Sequence, residues 1–223
     1  MGRNIGHYGT MAANHPRLLK PSFFARPTLT VARELLGQLL VHESKRGIIV
    51  GKIVETEGYL ADDPACHAFK GPTPRCAVMF GPPGYSYVYF TYGMYHCFNV
   101  ITEQKGVAGA VLVRAVEPVE GVKTIMKNFK AWPKNMNTSD PQRLASGPGK
   151  LCVAYGFDRS HNALPVSKGS PIRILEGPTV PPRDRVIATR IGITQNANAP
   201  YRFYIKAHPS VSKTGPAPAR QFP

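Results

Sequence analysis

The sequence predicts an α+β domain built on a largely antiparallel sheet. Three observations carry this. Short runs rich in Val, Ile, Tyr and Phe, bounded by Gly and Pro, recur along the chain. Segments with helical spacing are few and short. The strand–helix–strand alternation that a parallel sheet needs is rare. With 223 residues, 43% of them hydrophobic, the chain suits one unit with a real core.

Taken in order, residues 1–16 are polar and basic and read as a flexible arm. In "TLTVARELLGQLLV", Thr28 or Thr30 fits an N-cap, and Ala32, Leu35, Leu36 and Leu39 follow at helical spacing. Gly37 weakens that helix, so a strand is expected from about Leu39. "GIIVGKIVETEGYL" is β-branched and predicts a strand over Ile48–Thr56. "YSYVYF" and "YHCFNVIT" flank Tyr92-Gly93-Met94 as the arms of a hairpin. In it, Val88, Phe90 and Phe98 are expected to pack inward. "GAVLVRAVEP" is a strand ended by Pro118, and "EGVKTIMKNFK" a short helix with Val122, Ile125, Met126 and Phe129 on one face. "SGPGKLCVAYGF" predicts a helix after a Gly/Pro turn, and "PIRILEG", "VIATRIGIT" and "YRFYIKA" are further strands. Residues 213–223, rich in Pro and Ala, read as a disordered tail, leaving 17–212 as the domain.

Lys and Arg number 28 against 13 Asp and Glu, a net charge of +15. Such an excess attracts polyanions, either nucleic acid or an anionic membrane face. The charges are spread out, which fits a folded basic surface better than a basic arm. No apolar run approaches the ~18 residues of a membrane span. The first twenty residues lack the apolar core of a secretory signal, and the sixth position lacks the Ser or Thr of a myristoylation signal. The four cysteines match no disulfide scaffold. Zinc could be assembled from Cys66, His67, His96 and Cys97, but adjacent Cys-His pairs chelate poorly; buried, reduced thiols are the simpler reading.

Three features carry chemistry. "VETEGYL" places Glu55 and Glu57 two apart on a strand, hence on one face. They suit an acid/base pair, a Mg²⁺ site completed by Asp62 and Asp63, or a solvated face with one ion pair. Arg114 lies inside an apolar strand, where it either turns to solvent or needs a carboxylate, for which Glu57 is available. The run "VYFTYGMYHCFNV" surrounds a tight turn with Tyr89, Tyr92 and Tyr95. It is either a core hairpin with hydroxyls at its rim or a probe that stacks on unstacked bases.

"IVETEGYL", His67, "TPR" at 73–75, "MF" at 79–80, "YVYFTYGMYHCFN", "VLVRAVEP", "SGPGKLC", "RIGI" and "RFY" follow one another in this order. Together they closely resemble the alkyladenine (3-methyladenine) DNA glycosylase family, from about Arg17 to Ser212. The resemblance implies a single α+β domain with a curved, open-barrel-like antiparallel sheet, flanking helices and a protruding hairpin, and no metal or other cofactor. It implies a monofunctional base-excision-repair hydrolase that flips 3-methyladenine, 7-methylguanine, hypoxanthine or ethenoadenine out of double-stranded DNA. A monomer acting inside the cell, with DNA, is expected, and no membrane partner.

Carried onto this chain, the resemblance makes Glu57 the catalytic carboxylate and Arg114 the arginine that helps hold the attacking water. Tyr59 and His67 on one side and Tyr89 on the other would sandwich the flipped base. Asn99 would read its edge against guanine's amine. Tyr92 would fill the gap in the stack, and Met79 would probe the opposite strand. Arg75 and Lys150 are expected at phosphates, and Glu55 in a structural role. The chain departs from the pattern at Gly58, where alanine is common, and at His96, where an aromatic often sits. Two other classes compete: a passive RNA-binding module, which has no use for a carboxylate facing a polyanion, and a Mg²⁺-dependent nuclease, which EDTA would stop.

Overall fold

The computed structural model describes residues 16–91, 93–131 and 140–212. The expected N-terminal arm up to residue 15, the tail and Tyr92 lie outside the described residues. Two short helices, α1 (Pro21–Phe24) and α2 (Thr28–Glu34), lead into β1 (Leu39–Ser44) and the long β2 (Gly47–Leu60). The hairpin β3 (Ser86–Thr91) and β4 (Tyr95–Ile101) follows, then β5 (Gly109–Glu120), α3 (Val122–Lys130) and α4 (Pro148–Tyr155). The short strands β6 (Ile172–Leu175), β7 (Arg185–Ala188) and β8 (Arg202–Ile205) complete the fold.

The strands form one curled, half-barrel-like antiparallel sheet in the order β3-β4-β5-β2-β1-β6. Its spine is β2. One edge pairs with β5 from Val50 to Leu60, while the other pairs first with β1 and then, at Glu55–Glu57, with β8, which in turn carries β7. This fork brings the last strand of the fold beside the two glutamates. The outer edge of β3 is covered rather than exposed: Ser86 and Val88 hydrogen-bond to Asn162, Ala163 and Leu164.

Side-chain alternation divides the sheet into two faces. Val88, Phe98, Val100, Val111 and Val113 enter the main core with α2 and α4. Tyr87, Tyr89, Cys97, Asn99, Leu112 and Arg114 line a cleft on the opposite face. A smaller apolar cluster, including Cys66, Cys76, Met79 and Ile101, supports that cleft.

Four local expectations are corrected. β5 runs past Pro118 to Glu120, because a register shift opposite Pro118 at Val50/Gly51 removes the need for its missing N–H. Phe90 is 39% exposed, since the hairpin has by then left the core, and its ring lies beside His96 and Arg159. Met126 of α3 is also exposed, whereas Ile125 and Phe129 are buried. The cap of α2 is Pro27; Thr28 instead donates its N–H and hydroxyl to Glu103 Oε1 at 2.6 and 2.7 Å, so a distant carboxylate caps the helix.

Candidate active site

The pairing of β2 with β5 is irregular where it matters. Ile53 pairs with Val116, Glu55 with Ala115 and Thr56 with Val113, which leaves Val54 and Arg114 as extra residues on their strands. Paired bulges of this kind re-aim side chains beside functional sites. Here they bring Arg114 between the two glutamates, with Nε 3.3 Å from Glu55 and Nη1 3.1 Å from Glu57. All three are buried, so the solvated-face reading of both glutamates and of Arg114 is set aside.

The two carboxylates differ in their partners. Glu55 Oε1 also accepts from Arg202 Nη1 (2.9 Å), and Oε2 from the Ser212 backbone N–H (2.8 Å). Glu57 Oε1 accepts from the Ile191 backbone N–H (2.9 Å), and Oε2 from the Tyr59 hydroxyl (2.9 Å). Glu55 thus anchors two arginines inside the protein, while Glu57 is held by groups that themselves wall the cleft: Tyr59, Arg114 and Ile191. Arg114 is driven further above its usual range: burial opposes its charge, but the adjacent Glu57 and Glu55 outweigh that. Burial first, and then Glu57, push the Tyr59 phenol well up, so it stays a proton donor to the carboxylate.

The cleft encloses about 370 Å³, within the range of small-molecule sites. Its hairpin wall is aromatic. Tyr87 and Tyr89 lie 5.2 Å apart, and His67 meets Tyr89 edge-on at 4.6 Å and 72°. His67 Nδ1 bonds with the Tyr87 hydroxyl at 2.8 Å. Burial, then the nearby Arg75, hold the imidazole below its ordinary pKa, leaving a neutral ring at physiological pH. Burial also pushes Tyr87 up to about 12. Asn99 is buried and donates Nδ2 to the Tyr87 carbonyl at 3.0 Å, which aims its amide oxygen away from that carbonyl.

Residues 22–209 match the family described as Methylpurine-DNA glycosylase (MPG). A protein of Carboxydothermus hydrogenoformans named "Putative 3-methyladenine DNA glycosylase" is 47% identical over 196 residues, covering 88% of this chain and 99% of that one. Proteins with the same name from Myxococcus xanthus (46% over 210 residues, 92% and 98% covered) and Methanocella arvoryzae (45% over 203 residues, 89% and 98% covered) agree. The chain belongs to the methylpurine-DNA glycosylase family. It is accordingly a DNA glycosylase of base excision repair, a hydrolase acting on N-glycosyl bonds.

Within this glycosylase, Glu57, Tyr59, Tyr89, His67, Asn99 and Arg114 converge on one cleft. Met79 is 2% exposed and forms part of the cleft lining. His67 and Tyr89, expected on opposite sides of the base, stand as one edge-to-face pair with centroids 4.6 Å apart. Arg75 is exposed at the rim, its guanidinium 5.5 Å from the Tyr89 ring, and Lys150 is half-buried in the first turn of α4. Tyr92, expected to intercalate, lies outside the described residues; Gly93 beside it has φ +64°, the left-handed conformation a tight turn requires.

The residues that sequence reasoning missed all come from the last quarter of the domain: Ile191, Arg190 and Arg202. A signal for Arg202 was present, since "YRFYI" sets an arginine among aromatic and apolar residues as "VLVRAV" does for Arg114. The Mg²⁺ alternative loses its ligands, because Glu55, Glu57 and Asp63 are each paired with arginine and Asp62 is exposed. The zinc alternative fares no better: the described residues contain no group of three potential ligands placed to hold a metal. Among them, too, no helix is long and apolar enough to cross a membrane.

Proposed function

We propose that this chain is a monofunctional glycosylase that excises alkylated or deaminated purines, 3-methyladenine and hypoxanthine among them, after turning the nucleotide out of double-stranded DNA. The observation that carries this reading is the Glu57 carboxylate, fixed by Arg114, Tyr59 and Ile191 at the wall of an aromatic cleft. A purine inside a duplex is out of reach of such a group, so the nucleotide is extruded, at a cost of a few kcal/mol that is smallest for damaged pairs. Tyr92 would occupy the vacated stack and offset part of that cost, at about 1–3 kcal/mol per base stacked.

Electron-rich rings at Tyr59 and Tyr89 favour a base that carries positive charge. A neutral His67 adds a further ring without repelling that charge. The Asn99 amide oxygen accepts hydrogen bonds from a suitable base edge and reads its pattern of donors. Hydrolysis then passes through an oxocarbenium-like state. Glu57 takes one proton of a water whose oxygen bonds to C1′ as the C1′–N bond breaks, and it stabilises the developing charge on the sugar; a cationic alkylated purine leaves neutral, and a neutral one such as hypoxanthine leaves with a proton from solvent. Arg114 and the Tyr59 hydroxyl hold the carboxylate in place. The enzyme acts as a monomer on DNA inside the cell.

The test is a strand-scission assay on duplexes carrying 3-methyladenine, 7-methylguanine, hypoxanthine or ethenoadenine. Cleavage is expected only after alkali and unchanged by EDTA. Cleavage without alkali would sink the monofunctional mechanism, inhibition by EDTA would favour a metal-dependent nuclease, and binding without base release would favour a passive binder.

A further inference from the structure

We infer that Arg190 and Asp63 form a positioning unit that sets the Glu57 carboxylate for the glycosylase reaction. The inference rests on the function proposed above. Both residues are buried, at 5% and 2% exposure. Arg190 pairs with Asp63 through both terminal guanidinium nitrogens: Nη1 with Oδ2, and Nη2 with Oδ1 at 3.1 Å. Nη1 also donates to the Gly58 carbonyl at 3.0 Å. The guanidinium carbon lies 4.6 Å from the Tyr59 ring centroid and 5.2 Å from that of Tyr201. Asp63 is fixed in turn by the Ala65 N–H and by Asn196 Nδ2, at 3.1 and 3.0 Å.

A buried ion pair is a weak source of stability, since apolar residues of the same volume often serve as well or better. This one also leaves Arg190 Nε a buried donor without a protein partner. Its position gives a reason to keep it. The Tyr59 ring that Arg190 faces puts its hydroxyl on Glu57 Oε2, and the residue after Arg190 puts its N–H on Glu57 Oε1. Both carboxylate oxygens are therefore placed with reference to one guanidinium, and among the hydrogen bonds described above only Arg114 reaches Glu57 independently.

The test compares wild type with Arg190→Lys, Asp63→Asn, the double variant Arg190→Met/Asp63→Leu, and Glu57→Gln. Each is measured for single-turnover excision of hypoxanthine, affinity for a duplex with an abasic-site analogue, and melting temperature. Arg190→Lys keeps the charge but loses the flat fork, and is expected to slow excision about 100-fold, as a misplacement of about 1 Å does. Affinity should change less than about 3-fold. The Met/Leu double variant removes both charges, so it should melt close to wild type and still excise as slowly as Arg190→Lys. Wild-type excision by the double variant, or equal losses in affinity and excision for Arg190→Lys and Asp63→Asn, would overturn the positioning role alone. Absence of excision by the wild type, with Glu57→Gln indistinguishable from it, would overturn the function and this inference together.

Discussion

Replacing Glu57 by glutamine isolates the chemical step, because most of the surrounding hydrogen bonds survive the change. The carboxylate accepts from Arg114, Ile191 N–H and the Tyr59 hydroxyl. In the variant, the amide oxygen still accepts from Arg114 and Ile191, and the amide nitrogen donates to the phenol oxygen of Tyr59. Among these bonds the one loss is the acceptor of the Tyr59 hydroxyl proton, since that oxygen now accepts where it used to donate. Charge opposite Arg114 is lost as well; a charge-assisted hydrogen bond contributes about 1.5–3 kcal/mol against about 1 for a neutral one. The fold should therefore weaken by about 1–2 kcal/mol, a fall of several degrees in Tm for a domain of this size. Catalysis should fall much further. Positioned general-base catalysis contributes ~10²–10⁴-fold, or about 2.7–5.4 kcal/mol of barrier. Single-turnover excision of hypoxanthine, read as alkali-labile breaks, should drop by that factor. Affinity for an abasic-analogue duplex should hold or tighten, since a negative charge facing DNA has been removed. Excision within about 3-fold of wild type would refute the assignment of Glu57 as the base.

Three further predictions follow from other parts of the molecule. With 28 Lys and Arg against 13 acids, binding to duplex DNA should weaken steeply with salt, by ~10³–10⁵ between 50 and 200 mM if six to ten phosphates are contacted; Arg75→Ala should lower the slope by about one, and an unchanged slope would remove Arg75 from the interface. A Cβ on Gly149 would stand 2.9 Å from the ring of Tyr95, so Gly149→Ala should lower Tm by a few degrees, overpacking of ~1–3 kcal/mol exceeding the helix-propensity gain of at most about 1; a raised Tm would show that the foot of the hairpin yields freely. His42, buried and bonded through Nδ1 to the Tyr155 carbonyl, is lowered to about 4 by burial. Between pH 6.5 and about 4 the unfolded chain binds a proton at this position that the folded chain does not, so stability should be lost as pH falls through that window, by up to roughly 3 kcal/mol, and His42→Asn should flatten this dependence in denaturant titrations.

The strands were legible because β-branched and aromatic runs between Gly and Pro mark them whatever they pair with. Glu57 and Arg114 were legible because an ionic residue in an apolar strand demands a partner, and these two were near enough in pattern to be matched. Exposure was not. Phe90 has the alternation of a core residue but sits where the hairpin has left the core, and Met126 lies off the buried stripe of α3, which runs through Ile125, Asn128 and Phe129. Nor was the aim of Arg114, which depends on bulges that no local pattern announces. The acid at position 63 looked like a metal ligand because its partner, Arg190, lies 127 residues away, a pairing fixed only by the sheet's fork. The burial of Met79 was hidden for a similar reason: it is decided by the cluster around Cys66 and Ile101, not by neighbours in sequence.

The fork of β2 also sets an order in time. Glu57 is translated early, yet its hydrogen bond to Ile191 spans 134 residues, and the bond from Ser212 to Glu55 spans 157. At about 5–20 residues per second, the carboxylate waits roughly 7–27 s before the donor that completes its setting leaves the ribosome. A chain halted between β4 and β8 holds the acid and the hairpin but neither Arg202 nor the Ser212 N–H. Truncated products should therefore be inert toward DNA bases, a safeguard for a genome exposed to an enzyme that makes abasic sites.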